Sequence, residues 1–180
     1  MTASLPNAAE LLGSRRRILV TGGAGFIGGA VVRRLLRESD AVVFNLDKMG
    51  YASDLSSIEA VLADLGSNHS ERHQLLKVDL ADAEAVRVAV QTADPDLVMH
   101  LAAESHVDRS IAGPGVFIES NVTGTYNLLQ AVREHHEQLN DERQAQFRLH
   151  HISTDEVFGS LGREGRFSET TPYDPRSPYS

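Results

Sequence analysis

A doubly wound, parallel α/β sheet is the fold that this sequence predicts, on three observations. Five apolar runs alternate with stretches of helical period, and the first run breaks into the glycine-spaced turn Gly22-Gly23-Ala24-Gly25-Phe26-Ile27-Gly28. The residues with chemistry to offer gather just past the ends of the runs. Strands alternating with helices specify right-handed crossovers with helices on both faces, and ligands bind at the carboxyl ends of such strands.

The elements follow in order. Residues 1–14 read as a frayed leader, because the pair Leu11-Leu12 precedes Arg15-Arg16-Arg17 instead of following a charged segment, which is not the order of a signal peptide. Ile18-Leu19-Val20-Thr21 is the first strand, and Ile27, Ala30, Val31 and Leu35 mark the helix after the turn. A second strand over 42–46 ends in Asp47, and a loop of small and polar residues, 48–53, leads to a short helix of Leu55, Ile58, Leu62 and Leu65 that stops at Gly66. Residues 67–74 carry no period and read as a surface connection. A third strand, 75–78, ends at Asp79-Leu80; Asp82 then caps a helix through Val86 and Val90, and Pro95 closes it. The run 96–103 is nearly continuous in apolar residues and reads as a central strand covered on both faces. A long helix spans 116–139, and a fifth strand spans 147–153. All five strands are expected to be buried, in one domain over 15–180.

Composition narrows the function classes. With 180 residues and 41% hydrophobic content, the chain is long enough for one core and short for a two-domain enzyme. A net charge of −8 and a pI near 5.4 oppose nucleic acid and anionic membrane surfaces as partners. The absence of cysteine excludes disulfides, thiolate metal sites and a cysteine nucleophile, and is compatible with the cytoplasm. No apolar run approaches the roughly 20 residues that cross a bilayer. The adjacent pair His150-His151 points to opposite faces of a strand, which argues against a metal site, and no G-x-S-x-G elbow supports a serine hydrolase.

The glycine turn has a definite physical meaning. Gly22 permits the turn, Gly25 lacks the Cβ that would hold a pyrophosphate away from the backbone, and Gly28 lets the helix pack closely. An anion then sits at the helix N-terminus, where free N–H groups and the dipole favour it. Asp47, nineteen residues past Gly28, stands where a carboxylate accepts hydrogen bonds from an adenosine ribose diol. NAD binding follows from the pair of features. After the fifth strand, Ser153-Thr154-Asp155-Glu156 sets a hydroxyl beside two carboxyls, which repel one another when both are ionised and so favour an acid paired with a base.

Together these motifs resemble the extended short-chain dehydrogenase/reductase family and, within it, the dTDP-glucose 4,6-dehydratases. The likeness runs from Arg17 to Ser180 and is carried by the glycine turn, Asp47-Lys48, the segment His100-Leu101-Ala102-Ala103-Glu104-Ser105-His106-Val107-Asp108-Arg109-Ser110, Asn121-Val122-Thr123-Gly124-Thr125, Thr154-Asp155-Glu156 and Ser177-Pro178-Tyr179-Ser180. The resemblance implies a Rossmann fold in which Phe26, Ile27, Asp47, Lys48, Asp79, Leu80, Leu101, Ala102, Ala103, Glu104, Ser105 and Ser120 join the glycines around NAD. It implies that Ser105 and Thr154 touch a nucleotide-activated hexose. Thr154 would bond the 4-hydroxyl, Asp155 protonate the departing 6-hydroxyl, Glu156 take the C5 proton and Tyr179 deprotonate the 4-hydroxyl. A homodimer built on the long helix is implied as well.

Gly29 stands where the family usually has serine, and Gly50 where it often has threonine. Tyr179 lacks the lysine that follows it by one helical turn in the family, and without a cation beside it a phenol is a poor base at neutral pH. The expectation is therefore an incomplete NAD-binding domain without its C-terminal substrate domain, inactive alone. An epimerase or decarboxylase of the same superfamily and a non-catalytic dinucleotide-binding module are the alternatives. Asp47 would repel a 2′-phosphate, so NAD is expected to bind more tightly than NADP, and Asp47→Ala should weaken NAD binding more than NADP binding. Titration with both cofactors checks this; equal affinities would remove Asp47 from the role.

Overall fold

The computed structural model describes residues 6–180. Strands β1 (Arg17–Thr21), β2 (Val42–Asp47), β3 (His73–Lys77), β4 (Leu97–His100) and β5 (Arg148–His151) form one parallel sheet in the order β3-β2-β1-β4-β5. The chain winds outward from β1 to β3, returns to β4 on the other side of β1, and so leaves its switch point between β1 and β4.

Alternation along the strands divides the core into two layers. Ile18, Val20 and Val43 face a layer that holds Val32, Leu35 and Leu36 of α2 (Phe26–Glu38) and Ile58 and Val61 of α3 (Ser56–Leu65). Leu19, Phe44 and Val98 face the opposite layer, with Val86 and Val90 of α4 (Ala83–Ala93) and Leu128 and Val132 of α7 (Gly124–Gln138). Asp82 caps α4 as expected, its carboxylate accepting the Ala85 N–H at 3.0 Å.

Several expectations are corrected. Residues 8–12 are not frayed: they form the helix α1, held by a capping box between Asn7 and Glu10 and by the Ala8 N–H on the Glu38 carboxylate at 2.9 Å. Ala8 and Leu12 are buried in the layer of α2 and α3. Residues 1–5 of the expected leader lie outside the described residues. Nor are all strands buried, since β3 and β5 are edges and most of their side chains are half-buried or exposed. Residues 67–74 hold a 3-10 turn (Ser67–Arg72) and the start of β3.

The fourth strand stops at His100, short of the expected Ala103. Its neighbour β1 ends at Thr21, where Gly22 turns away with φ 68°, so the ladder is handed from backbone to side chain: the Leu101 N–H reaches the Thr21 carbonyl and the Ala102 N–H its hydroxyl. The connection from β4 contains α5 (Val107–Ala112) and α6 (Pro114–Phe117), then a π-helical turn (Ile118–Thr123) that runs into α7. The expected long helix is thus present but begins at Pro114 and carries a π turn. A further helix, α8 (Asp141–Gln146), precedes β5, and its Arg143 grips Asp94 and Asp96, each at 3.0 Å, at the amino end of β4. Burial pushes Asp96 up, but the backbone N–H groups of Arg16 and Arg17 and the Arg143 guanidinium outweigh it and hold the carboxyl below its usual range.

His100 joins the carboxyl ends of β1 and β4 to α7. Its side chain is almost fully buried, with Nδ1 2.7 Å from the Thr21 hydroxyl and Nε2 3.0 Å from the Thr125 hydroxyl. The Thr21 oxygen also accepts the Ala102 N–H, and a neutral ring, donating from one nitrogen and accepting at the other, completes the chain of bonds. Burial, aided by the nearby His151 ring, pushes His100 down from 6.5 to about 4. In that window the unfolded chain takes up a proton here that the native state refuses, so stability falls as pH drops from 6.5 towards 4. Urea unfolding across this range should show a shallower loss for His100→Asn than for the unaltered chain. Equal slopes would exclude His100 as a source of acid sensitivity.

Candidate functional site

The carboxyl edge of the sheet opens into a cleft of about 340 Å³ over the switch point. Its floor is the glycine turn. A Cβ on Gly22 would stand 2.7 Å from the Ala102 Cα, and one on Gly28 2.1 Å from the Gly22 carbonyl oxygen, so neither position admits a side chain. Gly25 is the N-cap of α2 and offers no side-chain bond, which leaves the leading N–H groups of that helix without a cap beside the cleft. The side chain of Phe26 is 95% exposed there. A dipole end with unpaired donors and no acidic residue in its first turn fits a phosphate-bearing ligand.

The two banks come from loops that flank β1. On the β2 side stand Leu46, Asp47, Lys48, Gly50, Tyr51, Ala52 and Ser53, with Val78, Asp79 and Leu80 behind them; on the β4 side stand Leu101, Ala102, Ala103, Glu104 and Ser105, with Ser120 on the π turn. Asp47 is a joint of this site. One carboxylate oxygen accepts the Ala24 N–H of the glycine turn at 3.1 Å, and the other accepts the Met49 N–H and the Ser53 hydroxyl, both at 2.8 Å. The opposite bank is pinned by Asn121, whose amide exchanges two bonds of 2.8 Å with the backbone N–H and carbonyl of Glu104. Lys48 and Glu104 meet across the cleft at 3.1 Å.

Every residue that the sequence assigned to the cofactor lines this one cleft. Sequence reasoning passed over Tyr51 and Ser53, which sit in a loop with no period or motif, and over Thr21, His100 and Thr125, whose partnership spans three elements. Thr154, Asp155 and Glu156 lie at the same edge of the sheet, one strand beyond, and outside the lining of the cleft. Thr154 caps a 3-10 turn (Asp155–Phe158) by accepting the Glu156 N–H at 3.2 Å, which leaves the exposed carboxyls of Asp155 and Glu156 without hydrogen bonds among the described residues. Tyr179 is half-buried in a segment held by the Asp174 N–H on the Val157 carbonyl and by Phe158 between Phe167 and Tyr173. Among the described residues, no hydrogen bond joins Tyr179 to Thr154, Asp155 or Glu156. No group of three or more His, Asp or Glu among them is placed to hold a metal ion, and no helix is long and apolar enough to cross a membrane.

Known proteins share this arrangement. The chain is 53% identical over 167 residues to the dTDP-glucose 4,6-dehydratase of Neisseria meningitidis, covering 92% of this chain and 45% of that protein. It is 51% identical over 173 residues to the enzyme of the same name from Shigella flexneri, covering 91% and 46%. Among solved structures, the dTDP-glucose 4,6-dehydratase of Streptomyces venezuelae, with NAD and a second ligand, TYD, bound, superposes with a TM-score of 0.75 at 39% identity, over 91% of this chain and 47% of that one. The UDP-glucose 4-epimerase of Thermus thermophilus in complex with NAD gives 0.72 at 32% identity, over 91% and 46%. The chain thus spans just under half the length of these relatives. The GDP-mannose 4,6 dehydratase family model matches residues 19–180. With the match covering nearly the whole sheet and its cleft, the chain belongs to the GDP-mannose 4,6 dehydratase family.

Proposed function

We propose that the cleft binds NAD and that the chain, at the full length of its relatives, dehydrates a nucleotide-activated hexose, converting dTDP-glucose to the 4-keto-6-deoxy sugar. The observation that carries this reading is the gathering of the glycine cradle, the uncapped helix end and Asp47 around one cleft, with Thr154-Asp155-Glu156 at the same sheet edge. The glycines would seat the pyrophosphate, Asp47 and Lys48 the adenosine ribose, and residues 101–105 with Ser120 the nicotinamide half. Asp47 already holds three donors, so its substitution also loosens the 48–53 loop; the ratio of NAD to NADP affinity reports its role more cleanly than affinity alone.

Bound there, NAD supplies a hydride acceptor for C4 that later serves as donor to C6. The rest is the work of side chains. Tyr179 takes the 4-hydroxyl proton while Thr154 holds that oxygen, and Ser105 contacts the sugar. Glu156 takes the C5 proton, and Asp155 delivers a proton to the 6-hydroxyl, which departs as water. Two carboxyls that are exposed and without hydrogen bonds among the described residues are free to turn to a sugar. Among the described residues no hydrogen bond holds the Tyr179 hydroxyl in place, which supports a chain that binds NAD without turning over when expressed alone. A cytoplasmic site of action suits an enzyme dependent on NAD and a nucleotide sugar.

The long helix supports a homodimer. Ile118, Val122, Tyr126 and Leu129 recur at helical spacing on the π turn and α7 and are all about half exposed, a stripe of the kind that a second copy covers.

Two outcomes follow for a chain extended to the length of its relatives. Asp155→Asn and Glu156→Gln should each lower water loss by about 10²-fold or more while C4 oxidation persists, so that a 4-keto hexose accumulates in product analysis. Loss of the first hydride transfer in either variant, with NAD still bound, would overturn the division of labour. Val122→Glu should convert the dimer to monomer in light scattering, and an undisturbed dimer would place the interface elsewhere.

A further inference from the structure

We infer that the cleft is fastened by a two-point clasp, Lys48 to Glu104 and Tyr51 to Arg109, which governs how long a bound dinucleotide stays; this rests on the NAD reading of the cleft. The topology makes both contacts informative. β2 and β4 are not neighbours, because β1 lies between them, so any contact between the loop after β2 and the segment after β4 must cross the end of β1 where the glycine turn sits. Two such contacts are present among the described residues. Lys48 Nζ lies 3.1 Å from Glu104 Oε1, with the Glu104 side chain only 13% exposed, and the Arg109 guanidinium lies 4.0 Å from the centre of the Tyr51 ring.

The banks differ in how they are held. Glu104 is fixed through its backbone by Asn121, and Arg109 stands on α5, whereas Lys48 and Tyr51 ride on a loop tied to the sheet through the Asp47 carboxylate. Release requires both contacts to part, whereas a bound dinucleotide allows them to close beside it. An ion pair open to water on its Lys48 side and an exposed cation–π contact are each weak, so each should alter release by roughly threefold to tenfold and leave folding intact.

Arg109 does not line the cleft, and its contact towards the cleft is the face of the Tyr51 ring. In the 180-residue chain, NADH would be bound and chased with excess NAD while its fluorescence decay is followed, and amide exchange of residues 48–53 would be measured without dinucleotide. Arg109→Gln and Tyr51→Leu should each speed release roughly threefold to tenfold and raise exchange in the loop. The double variant should release no faster than the faster single one, as coupled partners do. Unchanged release and exchange in Arg109→Gln, or rates that multiply in the double variant, would overturn the clasp. Failure of the unaltered chain to bind NADH at all would instead overturn the dinucleotide reading, and it would show before any variant was made.

Discussion

At the switch point the backbone of Gly22 lies so close to the segment that follows β4 that a Cβ would stand 2.7 Å from the Ala102 Cα, and this approach is the constraint on which the site depends. It lets the turn after β1 fold flat over the sheet edge, at a φ of 68° that an L side chain resists. It also ends β1 early, so that β4 finishes on Thr21 through one backbone and one side-chain bond. The cleft is the space left when those two strands part. His100 secures the same corner from beneath, bridging the Thr21 and Thr125 hydroxyls in a neutral ring.

From that corner the polar groups fall into two sets with different tasks. Asp47 and Asn121 act chiefly on the backbone of other segments, one tying the glycine turn to the 48–53 loop and the other pinning the residues after β4. Lys48, Glu104, Tyr51 and Arg109 act across the opening. Rigid floor and weakly fastened mouth are compatible demands, because the floor rests on close packing and buried bonds while the mouth rests on contacts near water.

Much of this was legible in the chain itself. Period and glycine spacing located the five strands, the turn and the helix after it, since these signals follow from local geometry alone. The end of β4 was not legible, because Leu101-Ala102-Ala103 is as apolar as a strand and stops pairing only when its neighbour turns away. The edge strands β3 and β5 read as buried because their sequences do not announce which side lacks a partner. Helix α1 was hidden for a similar reason: its capping pair is local, but Ala8 and Leu12 become core only through α2 and α3. Motif reading finds the part of the cleft's lining that carries the family motifs and overlooks others, Tyr51 and Ser53 among them, whose loop has neither period nor motif.

Amide chemical-shift mapping of the isotopically labelled 180-residue chain during NAD titration tests the central claim most directly. The account predicts saturable shifts concentrated in residues 22–28, 47–53 and 101–105, with smaller ones at Ser120, while the amino ends of the strands near Arg17 and Arg72 stay still. Saturable shifts centred elsewhere, or none with the chain folded, would contradict it.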